Sequence, residues 1–330
     1  MSVQIIRSAA VIGAGYMGGG IAQSLAASGM KVTLADVSPE ATERSLERLL
    51  GEARDFEAQG LLTPGSYDRI MTNLRSAPSI EEAVRDVDFI EEAVFEREDV
   101  KKEVLGRISA AARPDAIIGT NTSTIPVHVL APFVTGQERF LTVHFSNPAP
   151  FIPGVELVSG TETTKAVVET VKEMLGRVNR QSAEVADRPT FVLNRLQYVL
   201  FKEANTIVEE GIATPEDVDT IVRSTFGFRL PFFGPFAIAD MAGLDVYVNG
   251  FVTAENAFGP RLSCPDTVKR LVAEGKHGVK NGAGYYGQYS KEEAEALVAY
   301  RNKAYAKMAE VLRELGPSPL EAKKNAKSRG

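Results

Sequence analysis

The chain has 330 residues, 44% hydrophobic and 24% charged, an ordinary folded composition long enough for one large or two medium domains. A net charge of −6 argues against nucleic acid as the main partner, since phosphate binding needs concentrated lysine and arginine. The single Cys264 forms no internal disulfide, no CxxC or HExxH spacing suggests a metal, and no uncharged run reaches the roughly 18 residues of a membrane span.

Ser8 to Ile12 is a short apolar run that predicts a buried parallel strand ending at Gly13. The stretch "SAAVIGAGYMGGGIAQSLAASG" lacks the basic cluster of a signal peptide, and the chain reads as cytoplasmic. Small and apolar residues from Met17 to Ser28 predict a helix closed by Gly29. "KVTLADV", Lys31 to Val37, alternates like a second strand. Ser38, Pro39 and Glu40 read as a cap, a first-turn proline and an acidic residue. The charged stretch from Glu40 to Arg75, interrupted by "GLLTPGS", predicts a helical hairpin. "VDFIEEAV", "AIIGTNTS" and "RFLTVHF" follow as strands separated by helical stretches, a pattern that predicts an α/β domain with a mainly parallel sheet. Further on, Asp187 or Thr190 near Pro189 reads as the cap of a helix reaching Val208. Thr214 and Pro215 open another, and Ser290 with Glu293 has capping-box spacing. Almost nothing after residue 187 reads as strand. The expected organisation is an α/β domain over 1–187 and an all-helical domain over 188–330, with a flexible Pro- and Lys-rich tail after Gly316.

"VIGAGYMGGG" places Gly13-x-Gly15-x-x-Gly18 between a strand and a helix. Gly13 allows the tight turn, Gly15 lets a pyrophosphate approach the backbone, and Gly18 allows close helix packing. The helix N-terminus then offers N–H groups and a positive dipole end to phosphates, with Tyr16 and Met17 in the first turn. Asp36 ends the second strand 18 residues after Gly18, where a carboxylate binds ribose hydroxyls. No Arg or Lys follows at 37–41 to hold a 2′-phosphate, so NAD is preferred over NADP. The N-terminal domain therefore reads as a Rossmann dinucleotide-binding domain.

The polar residues that name a reaction are "NTST" at 121–124, His144, Glu156 and Asn194 in "FVLNRLQ". Asn121 and Ser123 follow a strand's end, where ligands sit in open α/β sheets. His144 also follows an apolar run, and Glu156 begins the strand candidate "VELV" after a proline-rich loop. Oxidising a secondary alcohol needs a base for the hydroxyl proton while hydride leaves carbon. An imidazole suits that, because its unperturbed pKa is about 6.5. A carboxylate on its other nitrogen fixes the tautomer and stabilises the imidazolium. Ser123 and Asn194 would hold the substrate's hydroxyl and carbonyl. Each residue has a plain structural alternative: a packed histidine, a solvated glutamate, an asparagine bonded to local backbone. His128 and His277 are assigned to such structural roles.

Together these pieces resemble the 3-hydroxyacyl-CoA dehydrogenase family over nearly the whole length. The matching motifs are "VIGAGYMGGGIA", "EEAVFE", "NTST", "HFSNP", "VELV", "VLNRL", "GPFAIADMAGLD" and "GVKNGAGYY", in order. The resemblance implies His144 as general base, Glu156 as its partner, and Ser123 and Asn194 as the substrate-orienting pair. It implies that Gly13, Gly15, Gly18 and Asp36 form the dinucleotide site, that Glu96, Lys101 and Asn121 lie on its nicotinamide side, and that Asn147 supports the loop after the base. It further implies an L (S) alcohol and a homodimer built through the helical domain. The chain departs from acyl-CoA members, which typically carry "MK" where it has Ile152-Pro153 and an aromatic or Met at Ser146. Members that oxidise free hydroxy acids, such as carnitine, gulonate or a pyridine carboxylate alcohol, resemble it in carrying proline there. The hairpin at 38–75 holds five Arg, no Lys and seven acidic residues, weak support for a nucleotide phosphate, although "FEAQGLLTPGSYDRI" resembles the short-chain acyl-CoA enzymes. The expectation is thus an NAD-dependent dehydrogenase of a small molecule, with a short-chain L-3-hydroxyacyl-CoA ahead of a free hydroxy acid. The remaining alternatives are a catalytically silent, crystallin-like NAD-binding protein and a lysine-based β-hydroxyacid dehydrogenase, for which Lys202 is the one candidate.

Overall fold

The structure, a computed structural model, describes residues 5–321. The first four residues, and residues 322–330 of the tail expected to be flexible, lie outside the described residues. In chain order the first part runs β1 (Ser8–Ile12), α1 (Tyr16–Ala27), β2 (Lys31–Ala35), α2 (Pro39–Ala58), α3 (Ser66–Asn73), β3 (Leu74–Ser76), α4 (Ile80–Val84), β4 (Phe89–Glu92) and α5 (Glu98–Ala111). It continues with β5 (Ile117–Thr120), α6 (Val127–Leu130), β6 (Phe140–Phe145), β7 (Gly154–Ser159), α7 (Lys165–Arg177), β8 (Gln181–Val185) and α8 (Leu193–Glu209). The chain divides into two compact units between Phe201 and Lys202, within α8.

In the first unit an eight-stranded sheet has the order β3-β2-β1-β4-β5-β6-β7-β8. Every pairing is parallel except β6 with β7, whose antiparallel register sets His144 opposite Glu156. Successive residues serve opposite faces, as strand geometry requires. Val11, Phe89, Leu141 and Val143 pack with Ile21 and Leu25 of α1, Leu49 of α2 and Met174 of α7. Ala10, Ile12, Ile90, Ile118 and Phe140 pack with Val84, Leu105 and Leu130 on the other side. The crossover helices thus cover both faces, which is why these strands read as continuous apolar runs.

Local signals account for the helix starts. Ser38 accepts from Ala41 N at 3.2 Å, with Pro39 in the first turn of α2. The helical hairpin stops at Asn73, and Leu74–Ser76 pairs with β2 as a short edge strand. Strand β8 was not expected; its sequence "QSAEV" is largely exposed at the other sheet edge and shows no clean alternation. The cap expected for α8 is corrected. Asp187 instead accepts from Val127 N and His128 N, at 2.8 and 2.9 Å, and serves α6. Thr190 and Phe191 adopt left-handed φ values of 65° and 47°, which delay α8 to Leu193. That conformation costs a non-glycine residue roughly 1–2 kcal/mol.

The second unit continues with α9 (Pro215–Ser224), α10 (Phe226–Arg229), α11 (Pro235–Ala242), α12 (Leu244–Phe258), α13 (Asp266–Ala273), the two-residue strands β9 (Ala283–Gly284) and β10 (Gly287–Gln288), and α14 (Lys291–Leu315). Thr214 caps α9, and Ser290 with Glu293 forms the expected capping box on α14. Asp240, 1% exposed, accepts from Tyr285 N, Tyr286 N and the Tyr289 hydroxyl at 2.9, 3.2 and 2.6 Å. A Cβ on Gly284 would stand 2.4 Å from that carboxyl group, so "GAGYYGQY" wraps around the buried Asp240 side chain with no room for a side chain at Gly284. After Gly316 the chain is held as far as Glu321, which pairs with Arg223 at 2.6 Å and bonds reciprocally with Ser318.

Glu91 is a discordant charged residue of the sheet interior. It is fully buried, and neither carboxyl oxygen has a partner among the described residues. A Cβ on its neighbour Gly119 would stand 2.4 Å from its Oε2. Burial, reinforced by the charge of Glu92 and only partly offset by Lys101, pushes its pKa well above the ordinary 4.5. The unfolded chain ionises Glu91 before the folded chain does, so its contribution to stability is present below pH 4.5 and falls as pH rises towards the folded value. Glu91→Leu is expected to stabilise the protein by roughly 1–3 kcal/mol at pH 7.5 and by much less near pH 4.5. Denaturant unfolding at the two pH values checks this, and an equal effect at both would contradict it.

Candidate active site

The strand order reverses between β1 and β4, which opens a crevice at their carboxyl ends. The glycine turn lies there. Gly13 has φ +99°, and a Cβ on it would stand 2.6 Å from Ala93 O; one on Gly18 would stand 1.9 Å from Gly13 O. At Gly15 nothing lies within 4 Å, so the backbone is open to a ligand. Gly15 caps α1 with no side-chain acceptor, and the first turn carries no acid. Its positive end therefore has no protein counter-charge from the helix itself, which fits a pyrophosphate. Tyr16 is 68% exposed at this end, and Met17 turns inward onto the core. Asp36 is held beside the turn, accepting from Ala14 N and Val37 N, each at 2.7 Å. The donor set and the open Gly15 cradle suit a dinucleotide.

Past β4 and β5, one carboxylate organises the "NTST" loop. Glu96 Oε1 accepts from the Thr122 hydroxyl at 2.7 Å, Ser123 N at 2.9 Å, Thr124 N at 2.8 Å and the Thr124 hydroxyl at 2.9 Å. Burial raises the Glu96 pKa, but the Thr122 hydroxyl, the Lys101 charge and these N–H groups outweigh it and hold the carboxyl below its usual range. Lys101, 1% exposed, lies beneath. Its Nζ is 2.8 and 3.1 Å from the two oxygens of Glu92 and 3.6 Å from Glu96 Oε2. The Thr120 hydroxyl also donates to Glu92, at 2.6 Å. Glu92 lies within the "EEAVFE" motif, but the sequence assigns it no role; its signal is an acidic pair closing an apolar strand.

Strands β6 and β7 bring His144 and Glu156 together, 6% and 8% exposed, with His144 Nδ1 2.7 Å from Glu156 Oε2. The other oxygen, Oε1, accepts from Val192 N and Leu193 N at 2.9 Å each, at the start of α8. Glu156 therefore takes the capping role expected of Asp187 or Thr190. Burial alone would raise its pKa; the His144 hydrogen bond and the Leu193 and Val192 N–H groups reverse this and keep it below the usual carboxylate range. An ionised Glu156 leaves the Nδ1 proton in place and Nε2 as the basic nitrogen. Phe191 covers the imidazole, ring centroids 5.9 Å apart.

Two contacts join this pair to the "NTST" loop. Asn121 Oδ1 accepts from Phe145 N at 2.8 Å, and Asn194 Nδ2 donates to Ser123 O at 3.1 Å. His144, Glu156, Ser123, Asn194, Asn121 and Glu96 thus form one connected network, whereas Asn147 is exposed in the loop between the two strands. The Gly13–Gly18 turn and Asp36 occupy the β1–β2 side. His128 pairs with Asp187 at the surface, and His277 lies in a loop of the second unit. Among the described residues no acidic or histidine cluster could hold a metal, and no helix is long and apolar enough to cross a membrane.

A family model described as "3-hydroxyacyl-CoA dehydrogenase, NAD binding domain" matches residues 8–188, and one for the C-terminal domain of the same family matches residues 191–288. The chain is 34% identical over 315 residues to a 5-formyl-3-hydroxy-2-methylpyridine 4-carboxylate 5-dehydrogenase of Mesorhizobium japonicum, covering 93% of this chain and 99% of that protein. It is 33% identical to a probable 3-hydroxybutyryl-CoA dehydrogenase of Bacillus subtilis, covering 85% of this chain and 97% of that one. A solved 3-hydroxyacyl-CoA dehydrogenase from Archaeoglobus fulgidus superposes with a TM-score of 0.75 at 30% identity, covering 94% of this chain and 99% of that one. With a Rossmann-type NAD-binding unit followed by helices, the chain belongs to the 3-hydroxyacyl-CoA dehydrogenase family of NAD-dependent oxidoreductases that act on a CH–OH group.

Proposed function

We propose that this protein oxidises the 3-hydroxy group of a short-chain L-3-hydroxyacyl-CoA to the 3-oxo form, with His144 as general base and Glu156 as its orienting partner. The buried 2.7 Å contact between His144 Nδ1 and Glu156 carries the reading. His144 Nε2 takes the hydroxyl proton, and Glu156 stabilises the imidazolium that results. The Ser123 hydroxyl is only weakly engaged by Glu96, at 3.5 Å, and is available to the substrate oxygen. Asn194, fixed to Ser123 O, directs the substrate carbonyl, and Asn147 supports the intervening loop. Gly13, Gly15, Tyr16, Met17, Gly18 and Asp36 hold the cofactor; Glu96, Lys101 and Asn121 shape its nicotinamide side from below through the loop they order. When bound, NAD supplies the hydride acceptor.

A free hydroxy acid is the second reading. The 34% identity to the pyridine carboxylate dehydrogenase over 315 residues supports it. The hairpin arginines that would hold a CoA phosphate are also mostly engaged: Arg48 with Glu52 and Ala14 O, Arg54 with the Tyr67 hydroxyl, Arg69 with Ala27 O. The proposal extends to the domains, with residues 1–187 binding NAD and 188–330 serving substrate binding and pairing with a second copy. Exposed Val199 and Phe201 on α8, and Val246 and Val252 on α12, support that pairing. It also extends to work in the cytoplasm.

His144→Ala should lower turnover by about 10²- to 10⁴-fold while NADH binding, read by fluorescence titration, stays nearly intact. Retained turnover would remove His144 as the base. NAD reduction with (S)-3-hydroxybutyryl-CoA beside a panel of carnitine, gulonate and hydroxymethyl pyridine carboxylates decides the substrate; activity on the free acids alone would overturn the thioester reading. Asp36→Ala should raise KM for NAD and weaken the preference against NADP. Unchanged Michaelis constants for both cofactors would show that Asp36 does not read the ribose.

A further inference from the structure

The last glycine of the "GGG" run, Gly20, lies outside the spacing that a dinucleotide requires. A Cβ on it would stand 2.8 Å from Pro150 Cδ and 3.3 Å from Ala149 Cβ. Helix α1 and the loop joining His144 to Glu156 therefore touch, backbone to ring. One turn further along α1, Ser24 Oγ lies 2.9 Å from Gly20 O and 3.2 Å from Ala149 O. Arg180, in the turn between α7 and β8, completes the junction. Its terminal nitrogen donates to Ser24 Oγ at 2.7 Å, Ala149 O at 2.9 Å and Pro150 O at 3.1 Å. On the far side Phe151 packs edge-on against Phe56 of α2, centroids 5.0 Å apart. Arg180 has no carboxylate partner among the described residues, and its Nε is buried without an acceptor. A guanidinium desolvated without a counter-ion is an expensive way merely to close a loop.

We propose that Arg180 is a positioning residue that bridges Ser24 on the cofactor helix to the loop carrying His144 and Glu156 at its two ends, and so sets the separation of dinucleotide and base. This rests on the proposed role of His144. The hydride leaves the substrate carbon and the proton leaves the hydroxyl oxygen bonded to it, so nicotinamide and imidazole must face these two adjacent atoms together; a displacement of about 1 Å can cost about 10²-fold in rate. The bridge acts on that separation without touching substrate or cofactor. Gly20 supplies the close approach, and Arg180 the polar tie that fixes it.

The test compares Arg180→Met, Arg180→Lys and Gly20→Ala in the full chain, with the substrate found active in the panel above. Arg180→Met should lower kcat about 10- to 100-fold while NADH affinity and KM for NAD change by about twofold or less. Added guanidinium should restore part of that loss. Gly20→Ala, which pushes Pro150 away from the helix side, should lower kcat in the same sense and gain nothing from guanidinium. It serves as the test if Arg180→Met does not fold. Unchanged kcat in a folded Arg180→Met, or a loss that only parallels weaker NADH binding, would overturn the proposal. His144→Ala run alongside separates the two claims: turnover surviving there removes both, whereas abolished turnover there with a fully active Arg180→Met removes only the bridge.

Discussion

Glu156 is a buried carboxylate with three donors, and the arrangement of the site depends on its remaining ionised. Left without partners at that depth, a carboxylate would take up a proton. Here one oxygen meets the imidazole of the facing strand and the other meets the first N–H groups of α8. The single group thereby joins β6, β7 and the helix that bears Asn194. Its charge also lies at the positive end of α8, where the helix dipole favours an anion. The strained Thr190–Phe191 turn is tolerated because it delivers those N–H groups and places Phe191 over the imidazole.

A second buried charge system supports the other wall. Lys101 sits between Glu92 and Glu96, and Glu96 in turn gathers the hydroxyls and N–H groups of residues 122–124. Truncating one partner of such a pair leaves the other charge buried and unpaired, which typically costs about 3–5 kcal/mol. Lys101 and Glu96 thus act on the site through the loop they order. Glu91, its neighbour on the strand, has no such partner among the described residues, and burial together with the charge of Glu92 pushes its carboxyl well above the ordinary carboxylate range.

Much of the fold was legible because its signals are local. The Gly13–Gly18 spacing, Asp36 at the end of β2, the Ser38 cap and the Ser290 box are each contained within a few residues of the element they define. What escaped depends on contacts between distant segments. Strands β3 and β8 are short edges that pairing, more than pattern, makes extended. The cap of α8 comes from a residue 36 positions away, and Arg180 meets Ser24 across 156 positions. His144 and Glu156 were found because their strands are neighbours in sequence; Glu92 was hidden by its place in an apolar run.

The most direct test of the proposed chemistry is the pH dependence of kcat/KM for the wild type and for Glu156→Gln, which keeps a carbonyl acceptor for Val192 and Leu193 but removes the charge. If Glu156 stabilises the imidazolium, the acid limb of the oxidation profile moves to lower pH in the variant and its plateau falls. Superimposable profiles with equal plateaus would contradict the pairing of base and carboxylate on which the mechanism stands.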